Sequence, residues 1–243
     1  MINEILLGII QAATEFLPIS SSGHLALFSN LTSNVNVFFF TALHLASLLA
    51  VLIFTRKEIW KLITFEKAYR KMWLFVLIGI VPAAVVGFFF GGIIESAFSS
   101  LLIVSLGFFF TGLILLSTKN IKSTSKLNYS KSFFIGLAQI FALLPGVSRS
   151  GLTISSGLMA GVNKEEAIKF SFLMFIPLSV GAFLYEFSGA YFSLSLLVGL
   201  GICFALSLVF LNLLYVVVRK GKLWWFSIYC FVVGVVTLGI YLF

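Results

Sequence analysis

Between Gln11 and His24 the chain carries an amide (Gln11), a carboxylate (Glu15), three consecutive hydroxyls (Ser20, Ser21 and Ser22) and an imidazole (His24). The residues around them are apolar enough to sit in lipid. Gln11 and Glu15 stand four residues apart and share one face of a helix descending toward Pro18. His24, one turn into the segment that follows, is expected within reach of Ser20 or Ser21, which gives a means of moving a proton and holding a nucleophile. Glu15 and Gln11, one carboxylate and one amide, are thin for a dedicated metal cage, but Mg²⁺ typically takes one or two carboxylates plus substrate phosphates, which makes them candidate ligands. Gln11 serves equally well as a hydrogen bond between helices.

Gly8, Gln11, Ser20, Ser22 and Gly23 recur 128 positions later as Gly136, Gln139, Ser148, Ser150 and Gly151, with Pro18 and Pro145 one residue out of step. The second stretch adds Arg149. A guanidinium far from either membrane surface costs on the order of 3 kcal/mol on insertion scales, so a partner or a ligand must offset it. Two candidates stand open: a bidentate clamp on phosphate oxygens, or a structural pair with Glu15. Thr153, three residues after Ser150, either donates to the same anion or back-bonds to its own helix. Ser20, Ser22, Ser148 and Ser150 are candidate anion ligands and helix caps. The two stretches read as two walls of one site.

The elements that must position these groups lie in a membrane. Hydrophobic residues make up 60% of the chain and charged residues only 10%, against about 25% charge in soluble domains. The net charge of +8 sits in short segments between apolar runs, without basic stretches alternating with exposed aromatics. That pattern argues for a topology signal and against nucleic acid. Spans are expected at about 37–55, 72–92, 99–117, 167–187, 194–218 and 224–243. The apolar run after Met1-Ile2-Asn3-Glu4 is cut by Gln11 and Glu15, which suits neither a signal peptide nor an ordinary span.

If each polar stretch enters and leaves by one face, 15 of the 16 Lys and Arg fall on one side, Arg149 being the exception. The positive-inside rule then selects six spans plus two re-entrant hairpins, at about 5–30 and 132–163, with the basic face cytoplasmic and both termini outside. Residues 1–118 and 131–243 become inverted repeats of one membrane domain, with hairpin tips facing each other near the midplane. Pro18 and Pro145 break the descending helices. Returning half-helices, expected to begin near Gly23 and Gly151, point their N-termini at one place and favour a phosphate. Irregular backbone at that depth implies a cavity.

Other polar residues carry weaker signals. His44 lies mid-span without a nearby acid and reads as a helix-to-helix contact. Glu95 and Glu186 fall in short external links and read as solvated, and the Phe38–Phe40 and Phe88–Phe90 runs as lipid-facing or packing bulk. Cys203 and Cys230 fall inside spans near opposite ends, so no disulfide is expected.

Gln11-x-x-x-Glu15 running into Phe16-Leu17-Pro18-Ile19-Ser20-Ser21-Ser22-Gly23-His24, with Pro145-Gly146-Val147-Ser148-Arg149-Ser150-Gly151-Leu152-Thr153-Ile154, resembles the undecaprenyl-diphosphate phosphatase family linked to bacitracin resistance. Ile80-Val81-Pro82-Ala83-Ala84, Lys169-Phe170-Ser171-Phe172-Leu173 and Phe226-Ser227-Ile228-Tyr229 extend the likeness over nearly the whole chain. The resemblance implies hydrolysis of undecaprenyl diphosphate to the monophosphate, recycling the lipid carrier of cell-wall precursors, with a divalent cation, Mg²⁺ or Ca²⁺. It implies roles for Gln11, Glu15, Ser20, Ser21, His24, Ser148, Arg149, Ser150 and Thr153 in a pocket opening outward from the cell membrane. Thr41 and Cys230 depart from the acid and the arginine often found in relatives, and Gln11 is the amide form of a position that can be Glu. The competing class is a carrier of phosphate or prenyl-phosphate, which would share the inverted repeat but has no need of a hydroxyl-imidazole-carboxylate cluster. Oligomeric state is left open.

Overall fold

A computed structural model describes residues 2–31, 37–67, 69–186 and 193–243, with only the backbone described for 2, 3, 31, 37–41, 185 and 186. Thr41, Phe38–Phe40 and Glu186 therefore fall outside the described side chains. Among the described residues the regular structure is helical apart from one isolated bridge, Ser125 with Val162. The helices are α1 (Ile2–Phe16), α2 (Ser21–Leu31), α3 (Val37–Phe54), α4 (Arg56–Ile63), α5 (Arg70–Ala97), α6 (Leu101–Ser117), α7 (Tyr129–Ile140), α8 (Arg149–Met159), α9 (Lys164–Glu186), α10 (Leu194–Arg219) and α11 (Phe226–Leu242).

Four stretches are long and apolar enough to cross a membrane: Arg70–Ala97, Lys164–Leu184, Leu194–Arg219 and Leu223–Leu242. Ala42–Phe54 and Leu101–Ser117 are apolar but shorter. By contrast α1, α2, α7 and α8 run 15, 11, 12 and 11 residues, each short of the roughly 20 that a span needs. They pair as α1 with α2 and α7 with α8 across tight turns. Glu95, expected in a link, lies instead in the last turn of α5 and is exposed. Phe88 and Phe89 are 78% and 72% exposed, as lipid-facing rings would be.

The long helices pack around these short pairs. α1 lies on α10 and α7 on α5; α3 contacts α10 and α9 contacts α5; α3 meets α9, and α6 meets α11. Two close crossings are made by glycine. A Cβ added at Gly8 would stand 2.6 Å from the Gly199 carbonyl oxygen, and one at Gly136 would stand 2.6 Å from that of Gly79. Small residues let backbones approach where lipid offers no hydrophobic drive for helix association.

The basic segments gather at one end of the bundle. Lys169 pairs with Glu58 at 3.0 Å, and the Lys164 ammonium donates to the Arg219 carbonyl at 3.2 Å. One cavity of about 470 Å³ touches Lys122, Lys164 and Gly221, and another of about 260 Å³ touches Tyr69, Lys126 and Lys169. The loop after α6 is stitched to the start of α9 by Asn163 N–H to the Ser125 carbonyl (2.8 Å) and Leu127 N–H to the Glu166 carboxylate (3.0 Å).

The two turns differ in construction. In the first, Ser20 takes the left-handed conformation (φ 68°) between Pro18 and α2. In the second, a 3-10 turn at Phe141–Leu143 leads through Pro145 to Gly146 (φ 85°), whose carbonyl accepts a 2.9 Å bond from the Thr111 hydroxyl. This is the physical content of the one-residue offset between the prolines. A side chain at Gly146 is blocked twice, by its φ and by α6: an added Cβ would run into the Val104 carbonyl oxygen and stand 2.9 Å from Phe108 N. Gly146→Ala is expected to cost about 2–3 kcal/mol and to lower the melting temperature in detergent by several degrees. Gly201→Ala, with nothing within 4 Å of the new Cβ, is the control that should not melt earlier. Equal melting of the two variants would contradict the packing of this turn on α6.

Candidate active site

Glu15 sits in the last turn of α1, 7% exposed, with its two carboxylate oxygens differently engaged. One, Oε1, accepts from Arg149 Nη2 at 3.1 Å. The other, Oε2, accepts from the Ser21 hydroxyl at 2.6 Å and from the Gln11 amide at 3.0 Å, and lies 3.4 Å from His44 Nε2. Residues that are 134 positions apart thus meet as an ion pair.

The contact follows from how the turns abut. Gly23 faces Gly146, where an added Cβ would stand 2.8 Å from its Cα, and Gly151 faces Pro18 at 3.0 Å. The Ser150 hydroxyl donates to the Phe16 carbonyl at 3.1 Å, covering one of the unpaired carbonyls at the end of α1. α2 and α8 begin at Ser21 and Arg149, two residues earlier than the sequence suggested. The caps are Ser20 and Ser148, whose hydroxyls accept from the N–H groups of Gly23 (3.1 Å) and Gly151 (3.2 Å). Ser21 and Arg149 therefore occupy equivalent first positions of two helices with adjoining N-termini, a setting that favours an anion.

Arg149 is held on three sides. Besides Glu15, its Nη1 donates to the Ser179 hydroxyl at 3.3 Å, and its guanidinium lies 4.4 Å from the ring centre of Phe175. Ser179 and Phe175, four residues apart on α9, escaped sequence reasoning: one serine and one of 29 phenylalanines carry no distinguishing pattern. Thr153 makes the back-bond that was one of its two options, donating to the Arg149 carbonyl at 2.8 Å, and also meets the Ser171 hydroxyl at 2.7 Å. Ser20 and Ser22 are 3.2 Å apart, as are Ser148 and Ser150 at 3.3 Å. Ser20, Ser148, Ser150 and Thr153 are buried in the frame; Ser21 and Ser22 are partly exposed beside it.

His24 meets Ser20, though through its backbone carbonyl, and His44 makes a contact between helices that ends on an acid the sequence reading did not place near it. In His24, Nδ1 lies 2.7 Å from the Ser20 carbonyl oxygen and Nε2 2.8 Å from the Tyr229 hydroxyl, with the ring stacked on Tyr229. Neither ring nitrogen reaches Ser21. His44, which read as a contact between helices without a nearby acid, faces the site's carboxylate. The missed signal was its place in an apolar span, where an ionisable side chain is by default a functional candidate. Cys203 and Cys230 are both free and buried, and the Cys230 thiol donates to the Pro18 carbonyl at 3.6 Å.

The family model for the bacitracin resistance protein BacA matches residues 4–236, which takes in both turns and every element around them. The chain belongs to that family. Proteins named undecaprenyl-diphosphatase from Methanococcus vannielii and Thermosipho africanus are 41% and 39% identical to it. The alignments cover 94% of this chain and 96% of the first relative, and 96% of this chain and 98% of the second. One from Korarchaeum cryptofilum is 38% identical over 97% of each chain. Within this BacA chain, the Glu15–Arg149 junction is where the two conspicuous motifs touch.

Proposed function

We propose that this chain is a membrane phosphatase that hydrolyses undecaprenyl diphosphate to the monophosphate and phosphate, recycling the lipid carrier of cell-wall synthesis and supporting resistance to bacitracin. The observation that carries the reading is the Glu15–Arg149 pair at 3.1 Å with the Ser21 hydroxyl on the same carboxylate. The names of relatives about 40% identical over nearly the whole chain support the substrate.

The topology read from the sequence goes with this function: six spans and two re-entrant hairpins in one domain, with 1–118 and 131–243 as inverted repeats. It is supported by helix contacts that map onto one another when α1, α3, α5 and α6 are exchanged for α7, α9, α10 and α11. α1–α10 becomes α7–α5, α3–α10 becomes α9–α5, and α3–α9 and α6–α11 map onto themselves. The close glycines obey the same exchange, Gly8 on Gly199 against Gly136 on Gly79. With the gathered basic end cytoplasmic, both termini are outside and the site opens outward.

In the mechanism, the diphosphate headgroup enters between the turns and its prenyl tail leaves between spans. Arg149 turns its fork from Glu15 to the oxygens of the terminal phosphate, with the N–H groups of Ser21, Ser22 and Ser150 as further donors. Ser21 Oγ attacks the terminal phosphorus while Glu15 takes its proton. The bond to the bridging oxygen breaks, undecaprenyl monophosphate departs, and water then releases phosphate from the serine. His24, held between Ser20 and Tyr229, steadies the turn.

Glu15 and Gln11 would hold a divalent cation, Mg²⁺ or Ca²⁺. The fit rests on Gln11 Oε1, a buried acceptor with no protein partner beside a carboxylate. Such a cation supplies charge neutralisation on the phosphate oxygens.

The test is phosphate release from a long-chain prenyl diphosphate by protein in detergent, where no gradient exists for a carrier to use. Turnover is expected in wild type. Ser21→Ala should lose at least about a hundredfold; unchanged turnover would make water the nucleophile, and no phosphate release from wild type would sink the phosphatase reading.

A further inference from the structure

The phosphatase reading leaves one group at the carboxylate without a role. His44 Nε2 stands 3.4 Å from Glu15 Oε2, beyond the usual range of a strong hydrogen bond. Two donors bound to one small divalent cation at ordinary metal–ligand lengths lie about 3.0–3.4 Å apart. The same oxygen is 3.0 Å from the Gln11 amide nitrogen, while the amide oxygen is buried without a partner. Turning that amide end for end would place its oxygen beside Glu15 Oε2, an arrangement repulsive without a cation and favourable with one. Among the described residues no three His, Cys, Asp or Glu side chains come together, so the donor set here is one carboxylate, one amide and one imidazole. Arg149 takes the other carboxylate oxygen, so beyond that donor set a cation on this side would meet the Ser21 hydroxyl, 2.6 Å from Oε2, which it would displace or take as a neutral oxygen donor.

We propose that His44 is a protein ligand of the divalent cation, together with Glu15 and Gln11. The consequence is a change in metal preference: Mg²⁺ and Ca²⁺ favour oxygen donors, whereas an imidazole raises affinity for Mn²⁺ and its neighbours. The site is thus tuned toward a transition metal by a residue on α3, outside both motifs. The proposal rests on the phosphatase reading only for the presence of a cation.

The experiment uses tag-free, chelator-stripped protein in detergent loaded with one equivalent of Mn²⁺, and records electron spin echo envelope modulation. The chain has two histidines, so an imidazole signal has two possible sources. Nitrogen modulation is expected in wild type and in His24→Gln. It should vanish in His44→Gln, with the Mn²⁺ Kd at least about tenfold weaker. Wild type grown with ¹⁵N-histidine should show the ¹⁵N pattern instead, which removes any dependence on a variant folding. Bound Mn²⁺ without nitrogen modulation, modulation that survives in His44→Gln, or no retained Mn²⁺ would each overturn the proposal. Phosphate release by the same preparation separates the two failures: turnover without nitrogen modulation sinks the role of His44 alone, whereas absent turnover sinks the phosphatase.

Discussion

Arg149→Ala is expected to lower kcat/KM for a prenyl diphosphate by about a thousandfold or more, the scale on which a single arginine stabilises phosphoryl-transfer charge. Among the described residues the guanidinium is the one Lys or Arg cation at the turn junction, and Ser179, Phe175 and Glu15 fix its plane. Arg149→Lys keeps the charge but loses the planar fork and the stacking on Phe175, so it should recover only a small part of the loss. The alanine variant also leaves Glu15 buried beside no arginine, which costs on the order of 3 kcal/mol. Its melting temperature should fall, and activity must be compared at a temperature where both proteins are folded. A folded Arg149→Ala protein within tenfold of wild type would contradict the role given to this residue.

Glu15→Gln is the second large effect. Glutamine has nearly the same shape and still accepts from Ser21, so the turn should fold, but it is a poor base and a weaker ligand. A fall of about 10²–10⁴ in kcat is expected, the usual contribution of a positioned acid or base. Residual turnover should respond little to added divalent cation, because the carboxylate at the junction is gone. Full response to the cation with unchanged kcat would place both the base and the metal elsewhere. Comparison with Glu95→Gln, an exposed carboxylate at the far end of α5, shows whether the effect belongs to the site.

Much of this arrangement was legible in the chain because a membrane makes polar residues expensive. Glu15 and Arg149 stood out against an apolar background, and the recurrence of Gly8-x-x-Gln11 as Gly136-x-x-Gln139 announced a second copy of the same turn. The serines were legible as caps because Pro18 and Pro145 force breaks that need them. Other features could not be read. His24 and His44 have the same chemistry, and sequence distance favoured the one nearer the serines. The decision fell to Tyr229, which draws His24 toward α11, and to the α1–α3 packing that brings His44 onto Glu15. The starts of α2 and α8 shifted because Ser20 and Ser148 cap helices that begin two residues earlier than Gly23 and Gly151 implied. Ser179 and Phe175 were invisible, since their role depends on where Arg149 points and not on any spacing of their own.

The most direct measurement is a double-variant cycle on kcat/KM with Glu15→Gln, Arg149→Ala and the combined variant. Groups that act as a unit on one phosphate lose most of their value when either is removed. The combined protein should therefore be no more than about tenfold worse than the poorer single variant. A combined loss equal to the product of the two single losses would mean that the acid and the guanidinium act independently, and the shared site at the two turns would have to be abandoned.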